Sequence, residues 1–390
     1  MKILYIHQYF KTPSQGGAIR SYHVAKALIA AGHDVSMITT HHLPQKMVAM
    51  VEGIKVYYLP VPYQNSFGPL KRIWAFLSFL MQASRLAIQL KKDLVYATST
   101  PLSVGIIALL NRWLCKTPYV FEVRDLWPKV PIAMGYVNKP LLIKALNFAE
   151  KLIYRNAAAL IALSPGIEKA MKEVCQTVPL YMVPNFADTD FYKPQPRLSH
   201  DKITITYQGT LGVANGLDAL LCLAQVAEAH YPARFQFNIM GDGAEKDKLM
   251  YQATNIMALS NVTFYPFANK NEAKELMQNS DIMYVSFARY PILGETTSPN
   301  KFFDALAMHK PIIVNFQGWL GDLLLAHKAG FYHDISCNEK ALLAIIIDRH
   351  QNALEWTNMQ KAAGVLAHDC FKMATQLSKI VAIVAGFAVK

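Results

Sequence analysis

Acidic residues are scarce in this chain. Only 27 Asp and Glu stand against 39 Lys and Arg, a net charge of +12 over 390 residues. Such a balance suits nucleic acid, an anionic membrane surface or an anionic substrate. Zinc-finger spacing, an RNA-binding aromatic signature and a Lys/Arg-rich tail are all missing, which sets nucleic acid aside. Cysteines are few and odd in number: Cys115, Cys175, Cys222, Cys337 and Cys370. Their scatter gives no metal-ligand spacing, so reduced structural thiols in a cytoplasmic protein are expected. No apolar run reaches the roughly 18–20 residues of a membrane-spanning helix. The start, Met1 to His7, reads as an apolar strand too short for a signal peptide. No G-x-G-x-x-G fingerprint appears, which argues against a dinucleotide cofactor. No His/Asp/Glu cluster has ligand spacing, and Asp188-Thr189-Asp190 falls in a polar linker rather than after an apolar strand. The expected reaction therefore uses no metal and no cofactor.

Apolar material is ample. Hydrophobic residues make up 53% of the chain, enough for two cores, and the length suggests two domains. In the first half, strands are expected at 2–7, 34–39, 94–97, 119–123, 159–163 and 180–183. Helices alternate with them near 18–31, 69–91, 104–113, 139–155 and 165–174. Such alternation argues a parallel sheet covered on both faces. Residues 187–202 are polar and Pro-containing and read as a linker. A second series follows, with strands at 203–208, 234–240, 262–265, 282–286, 311–315 and 330–333, and helices at 217–230, 244–255, 271–278, 299–308, 319–327 and 339–351. The expected domains are 1–186 and 203–369, with a closing helix at 370–390 packing back on the first. Two doubly wound domains in succession place a ligand cleft between them, at the carboxyl ends of the strands.

The densest local signal is Thr297-Ser298-Pro299-Asn300-Lys301-Phe302-Phe303-Asp304. An irregular loop, 288–298, is expected to enter a helix with Ser298 as N-cap and Pro299 as its first residue. Unpaired N–H groups and the helix dipole attract an anion there. Lys301 adds a full charge, and Asp304, one turn in, offers a carboxylate to sugar hydroxyls. The other reading is a well-capped surface helix. A second segment, Lys71 to Lys92, combines basic flanks with Trp74, Phe76, Phe79 and Leu80. It reads either as a contact with an anionic membrane surface or as an ordinary core-packed helix with solvated ends.

Several motifs occur in order along both halves. Gly16-Gly17 follows the first strand, and Val183-Pro184-Asn185 with Asp188 precedes the linker. Next come Tyr207-Gln208-Gly209-Thr210-Leu211-Gly212 with Asn215-Gly216-Leu217, then Gly241-Asp242-Gly243-Ala244-Glu245, then Ser298 to Pro311. In this order the chain resembles a GT-B glycosyltransferase of the retaining family 4. Val123-Arg124-Asp125-Leu126-Trp127-Pro128, Asn215-Gly216-Leu217 and Ser298-Pro299-Asn300-Lys301 together further resemble the L-fucosamine transferase-like subgroup of bacterial O-antigen, capsule and colanic-acid assembly. The resemblance implies an α/β GT-B fold, two Rossmann-like domains facing each other across a cleft.

The resemblance also implies site roles. Gly16 and Gly17 would lie opposite the donor diphosphate, although a plain strand-to-helix turn is the other reading. Gly209, Thr210, Gly212 and Asn215 would line the donor, with Thr296, Ser298, Pro299, Asn300, Lys301 and Asp304. Three departures stand out. The family pattern has two Glu residues with seven residues between them; here the positions hold Thr296, beside Glu295, and Asp304. The family's Arg and Lys on the diphosphate fall on Thr210 and Asn215, neither charged. Lys301 is the best replacement cation and Arg289 the second. The family His near the donor sugar falls on Arg124, followed by Asp125; this pair either faces the ligand or braces the Trp127-Pro128 loop. Arg124, Asp125, Glu295 and Lys301 are the expected catalytic groups, and His7 and Trp127 face the acceptor.

The implied activity is transfer of a sugar from a nucleoside diphosphate-sugar, a UDP-sugar above others, to a glycan acceptor with retention. Front-side attack, in which the leaving diphosphate takes the acceptor proton, suits the lack of an obvious nucleophile. The subgroup implies an undecaprenyl-diphosphate-linked acceptor at the inner face of the cytoplasmic membrane, in surface polysaccharide biosynthesis. A nucleotide-sugar epimerase of the same fold and a silent nucleotide-sugar-binding protein are the alternatives.

Overall fold

The computed structural model describes residues 1–17, 19–62, 67–195, 201–335 and 338–388. Cys337, residues 196–200 of the expected linker and the last two residues of the expected 370–390 helix therefore lie outside the described residues. The chain builds two sheets in succession. The first has eight strands: β1 (Lys2–Ile6), β2 (Asp34–His41), β3 (Met47–Val51), β4 (Ile54–Pro60), β5 (Leu94–Thr98), β6 (Tyr119–Val123), β7 (Ala159–Ala162) and β8 (Leu180–Met182), in the order β3-β4-β2-β1-β5-β6-β7-β8. All its pairs are parallel except β3 with β4. The second has six parallel strands: β9 (Ile203–Gln208), β10 (Phe235–Met240), β11 (Val262–Tyr265), β12 (Ile282–Val285), β13 (Ile312–Val314) and β14 (Gly330–Tyr332), in the order β11-β10-β9-β12-β13-β14.

Central strands such as β5, β6, β7 and β12 are buried along their whole length. Helices cover both faces, which is why their sequences are continuous apolar runs rather than alternating ones. Each sheet thus carries a hydrophobic core on either side. The closing helix, Met373–Ala385, sends Ile380 and Val384 into the core that also holds Ile3, Tyr5, Val24 and Leu28 of the first sheet's side. On its way back the chain pairs with Ala187, whose N–H donates to the Phe371 carbonyl at 2.7 Å.

Strand direction fixes where ligands go. The chain leaves β1 toward β2 on one side, and β5 toward β6 on the other. In the second sheet β9 and β12 diverge likewise. Crevices open at such switch points, beyond the carboxyl ends of the strands. His7 and Ser99 end the first pair; Gly209 and Ser286 follow the second.

Three expectations change. The segment 288–298 is not an irregular loop throughout, because Pro291–Thr296 forms a helix, with Pro291 fixing φ at its first position. The donor-side helix begins at Asn300, not Pro299; Pro299 is extended (φ −74°, ψ 130°), so Ser298 is no N-cap. The 244–255 helix divides into an α-helix over Lys246–Tyr251 and a π-helical turn over Gln252–Ile256.

Candidate active site

Lys301 lies in the first turn of the helix Asn300–Ala307 and turns toward the end of β9. Its ammonium donates to the Tyr207 hydroxyl at 2.7 Å and lies 3.9 Å from the centre of that ring. Tyr207 is fully buried, and its hydroxyl donates onward to the Thr210 carbonyl at 2.7 Å. Gly209 holds φ +141°, and a Cβ there would stand 3.1 Å from the Lys301 ammonium. Glycine therefore serves twice, admitting a conformation L side chains rarely adopt and leaving room for the cation. No carboxylate lies within ion-pair distance of Lys301 among the described residues. Burial alone lowers its pKa from 10.5 to about 7. A half-buried ammonium resting on a neutral phenol and an aromatic face lacks an anion.

Asp304 turns elsewhere. Burial raises its pKa from 3.8 to about 7; nearby Lys270 opposes the rise, Asp188 adds to it, and a hydrogen bond with the buried Tyr192 opposes it. Lys270 is itself spent on Asp188 at 2.6 Å and lies 4.0 Å from the Phe191 ring centre. His23 joins this cluster, and burial, then Lys270, hold it down at about 4 against the pull of Asp188. Asp304 is thus brought to the junction of the two halves, away from the Tyr207 ring on which Lys301 rests.

Ser298 is buried between the halves. Its hydroxyl accepts the Asn185 N–H at 3.2 Å, and its carbonyl accepts the Asn185 side-chain amide at 2.5 Å. Thr296 is buried, its hydroxyl donating back to the Ile292 carbonyl. Its own carbonyl accepts from Ser164 at 2.8 Å. Glu295 is exposed at the end of the short helix. Thr210 is exposed in the loop after β9, while Gly212 and Asn215 are half-buried around the 3-10 turn Val213–Asn215. Arg289, the second cation candidate, is exposed in a pocket with Asp218, Glu245 and Lys248.

Across the cleft, Gly16 is buried against the backbone of Ala268 and Asn269, and Gly17 stays exposed. His7 is buried; its Nδ1 lies 2.8 Å from the Ser21 hydroxyl and its Nε2 3.5 Å from Arg124 Nη1. Burial, then the Arg124 charge, holds the His7 pKa well below the ordinary range, so the ring is neutral. Arg124 thus faces His7, while exposed Asp125 accepts from the Thr100 hydroxyl at 3.4 Å. Trp127 packs against the core of the first sheet. Among the described residues no group of three His, Cys, Asp or Glu is placed to hold a metal ion.

Sequence reasoning misses Ser164, Lys270, Tyr192 and the role of Tyr207. Tyr207 has a signal, standing just before the Gly209 loop. Ser164 meets Thr296 across 132 positions of sequence, and no local pattern announces that.

Comparison with known proteins bears on the fold and the family. The Glycosyl transferase 4-like domain family matches residues 15–185, and the Glycosyl transferases group 1 family matches residues 188–363. The chain is similar to sucrose-phosphate synthase from Thermosynechococcus elongatus, with TM-score 0.80, 16% identity and 100% of both chains covered. It is similar to Anabaena HepE in complex with UDP-glucose, with TM-score 0.70, 16% identity, and 99% of this chain and 100% of that one covered. It is 23% identical over 247 residues to a component of human phosphatidylinositol N-acetylglucosaminyltransferase, covering 61% of this chain and 47% of that protein. This chain thus spans just under half the length of that relative. The two family matches lie back to back over the two sheets whose switch points hold Lys301 and His7, and the chain belongs to the group 1 glycosyltransferases, retaining family 4 of the GT-B fold.

Proposed function

We propose that this glycosyltransferase moves a sugar from a UDP-sugar to a lipid-linked glycan in surface polysaccharide assembly, as an L-fucosamine transferase-like enzyme. One observation carries the donor placement: the half-buried Lys301 ammonium, without a carboxylate partner among the described residues, beside the Gly209 loop at the start of a helix. A diphosphate supplies the missing anion, and the N–H groups of Asn300 and Lys301 supply further donors. The UDP-glucose bound by Anabaena HepE supports uridine as the base.

The reaction leaves negative charge on the departing diphosphate. Preorganised donors stabilise that charge where it develops, and Lys301 takes the role that the family gives to an Arg/Lys pair. The acceptor hydroxyl attacks the anomeric carbon from the leaving-group side, and its proton passes to the departing phosphate oxygen. Asp304 serves the ribose once the nucleoside displaces its contact with Tyr192. Arg124, Asp125 and the exposed Glu295 line the sugar side, and neutral His7 faces the acceptor. Approach of the two halves excludes water from the transfer.

The human relative's name includes a phosphatidylinositol lipid, which supports a lipid-linked acceptor. The helix Pro69–Gln89 supports a membrane contact. Ala75, Phe79, Ala83 and Ala87 face the core, while Leu70, Ile73, Trp74, Leu77 and Met81 stand exposed. Phe79 is core, as the core-packed reading has it, and does not contribute to the exposed face. Lys92 donates to the Ala87 and Leu90 carbonyls at 2.5 and 3.2 Å, so it closes the helix rather than meeting lipid. Among the described residues no helix is long and apolar enough to cross a membrane.

Thermal shift with UDP-, GDP- and dTDP-sugars tests the donor, and stabilisation by UDP-sugars alone is expected. No shift with any of them sinks the reading. Flotation with anionic and neutral vesicles tests the membrane contact, and absence from both lipid fractions contradicts it.

A further inference from the structure

The three residues that lead into the donor helix have all their carbonyls taken by side chains. Thr296 O accepts from Ser164 Oγ at 2.8 Å, Thr297 O from Trp319 Nε1 at 2.8 Å, and Ser298 O from Asn185 Nδ2 at 2.5 Å. Trp319 belongs to the same half as this segment. Ser164 and Asn185 do not. They follow β7 and β8 of the first sheet, so the acceptor half holds the strap from which the donor helix starts.

These two anchors are themselves rigid. Ser164 is fully buried and caps the helix Pro165–Val174, accepting the Ile167 N–H at 3.1 Å. Next to it, a Cβ on Gly166 would stand 2.3 Å from the Glu295 carbonyl, so the backbones already touch. Asn185 is tied down by Arg20. That guanidinium donates to the Val183 and Pro184 carbonyls at 3.0 and 2.6 Å and approaches Asn185 Oδ1 at 3.4 Å. Arg20 in turn pairs with Glu122 at 3.0 Å, both side chains being essentially inaccessible. A continuous line of polar contacts thus runs from Glu122 in β6 through Arg20 and Asn185 to Ser298.

The peptide unit explains the consequence. Its C=O and N–H point in opposite directions across one plane, so Trp319 on the Thr297 carbonyl fixes the Ser298 N–H, while Ser164 and Asn185 hold the residues on either side of it. Pro299 has no N–H, and the next donors, Asn300 and Lys301, have no intrahelical partner. Holding the strap therefore aims the amides that the diphosphate needs.

We propose that Ser164 and Asn185 are positioning residues for the donor, through which the acceptor half sets the diphosphate-binding amides of the other half. The proposal deepens the donor reading above and rests on it. Donor affinity is then a property of both halves together, although neither Ser164 nor Asn185 touches the nucleotide.

Two variants remove the clamp and leave the packing. Asn185→Leu keeps the side-chain branching without the amide or any new charge. Ser164→Gly removes the hydroxyl at a capping position where glycine costs little. Calorimetric titration of UDP-sugar should show each weakening binding by about five- to tenfold, the loss of roughly one hydrogen bond. Tm should stay close to wild type, and KM for acceptor should not move. Ser164→Thr, which restores the hydroxyl, should recover affinity. Wild-type affinity in the folded Asn185→Leu and Ser164→Gly proteins would overturn the proposal. If wild type itself binds no UDP-sugar, the donor reading fails and the proposal with it.

Discussion

Replacing Lys301 with Met should move function and stability in opposite directions. Methionine keeps an unbranched apolar stem against the Tyr207 ring but removes the charge. Burial has lowered the Lys301 pKa from 10.5 to about 7, so the folded protein binds this proton less tightly than the unfolded chain does. Between those values the unfolded chain carries a proton that the folded one has shed, and stability rises with pH across that window. Below pH 7 the charge is present in both states and its burial weighs fully against folding. Lys301→Met removes that penalty, so its Tm at pH 6 should exceed wild type, and the pH slope between 7 and 10.5 should flatten. Catalysis should suffer instead. A hydrogen bond to a charged group contributes about 1.5–3 kcal/mol. Loss of one to the leaving diphosphate lowers kcat/KM roughly ten- to hundredfold. Thermal melts at pH 6 and 9 and steady-state turnover read both effects. A variant with wild-type kcat/KM would show that another cation holds the phosphates.

Other perturbations follow from the same geometry. Gly209→Ala places a methyl 3.1 Å from the Lys301 ammonium at φ +141°, and should weaken UDP-sugar binding at least tenfold by titration calorimetry, about 1.4 kcal/mol. Asp304 titrates at about 7 in the folded protein against 3.8 unfolded, so its contribution to stability declines as pH rises between them; Asp304→Asn should abolish that decline, raise Tm at pH 8 and reduce UDP affinity. Wild-type UDP affinity in that variant would refute the ribose role. Arg20→Met leaves Glu122 buried and unpaired, and should cost about 3–5 kcal/mol in urea unfolding.

Much of the fold is legible because parallel strands buried on both faces announce themselves as short apolar runs. The expected β6, β9 and β11 coincide with those observed. The hairpin of β3 and β4 gives no such signal. Met47, Val48 and Met50 are exposed and show no core pattern, although Glu52-Gly53, both at positive φ, is a two-residue hairpin turn. The helix Pro291–Thr296 reads as loop because Gly and Pro usually break helices, whereas Pro291 begins this one. At the site, the Gly209 loop and Lys301 are visible as motif and charge. That they meet, with Tyr207 between them, depends on contacts across some ninety positions of sequence. The same holds for Ser298, whose local pattern reads as a helix cap. Asn185, 113 positions away, claims its hydroxyl and carbonyl instead.

The most direct measurement is the pKa of the Lys301 ammonium itself, followed by NMR of isotope-labelled lysine in free and UDP-saturated protein. The account predicts a value near 7 in the free protein, where burial leaves the charge without an anion. It predicts a marked rise when the diphosphate binds. The same value in both states, or an ordinary lysine value in the free protein, would contradict it.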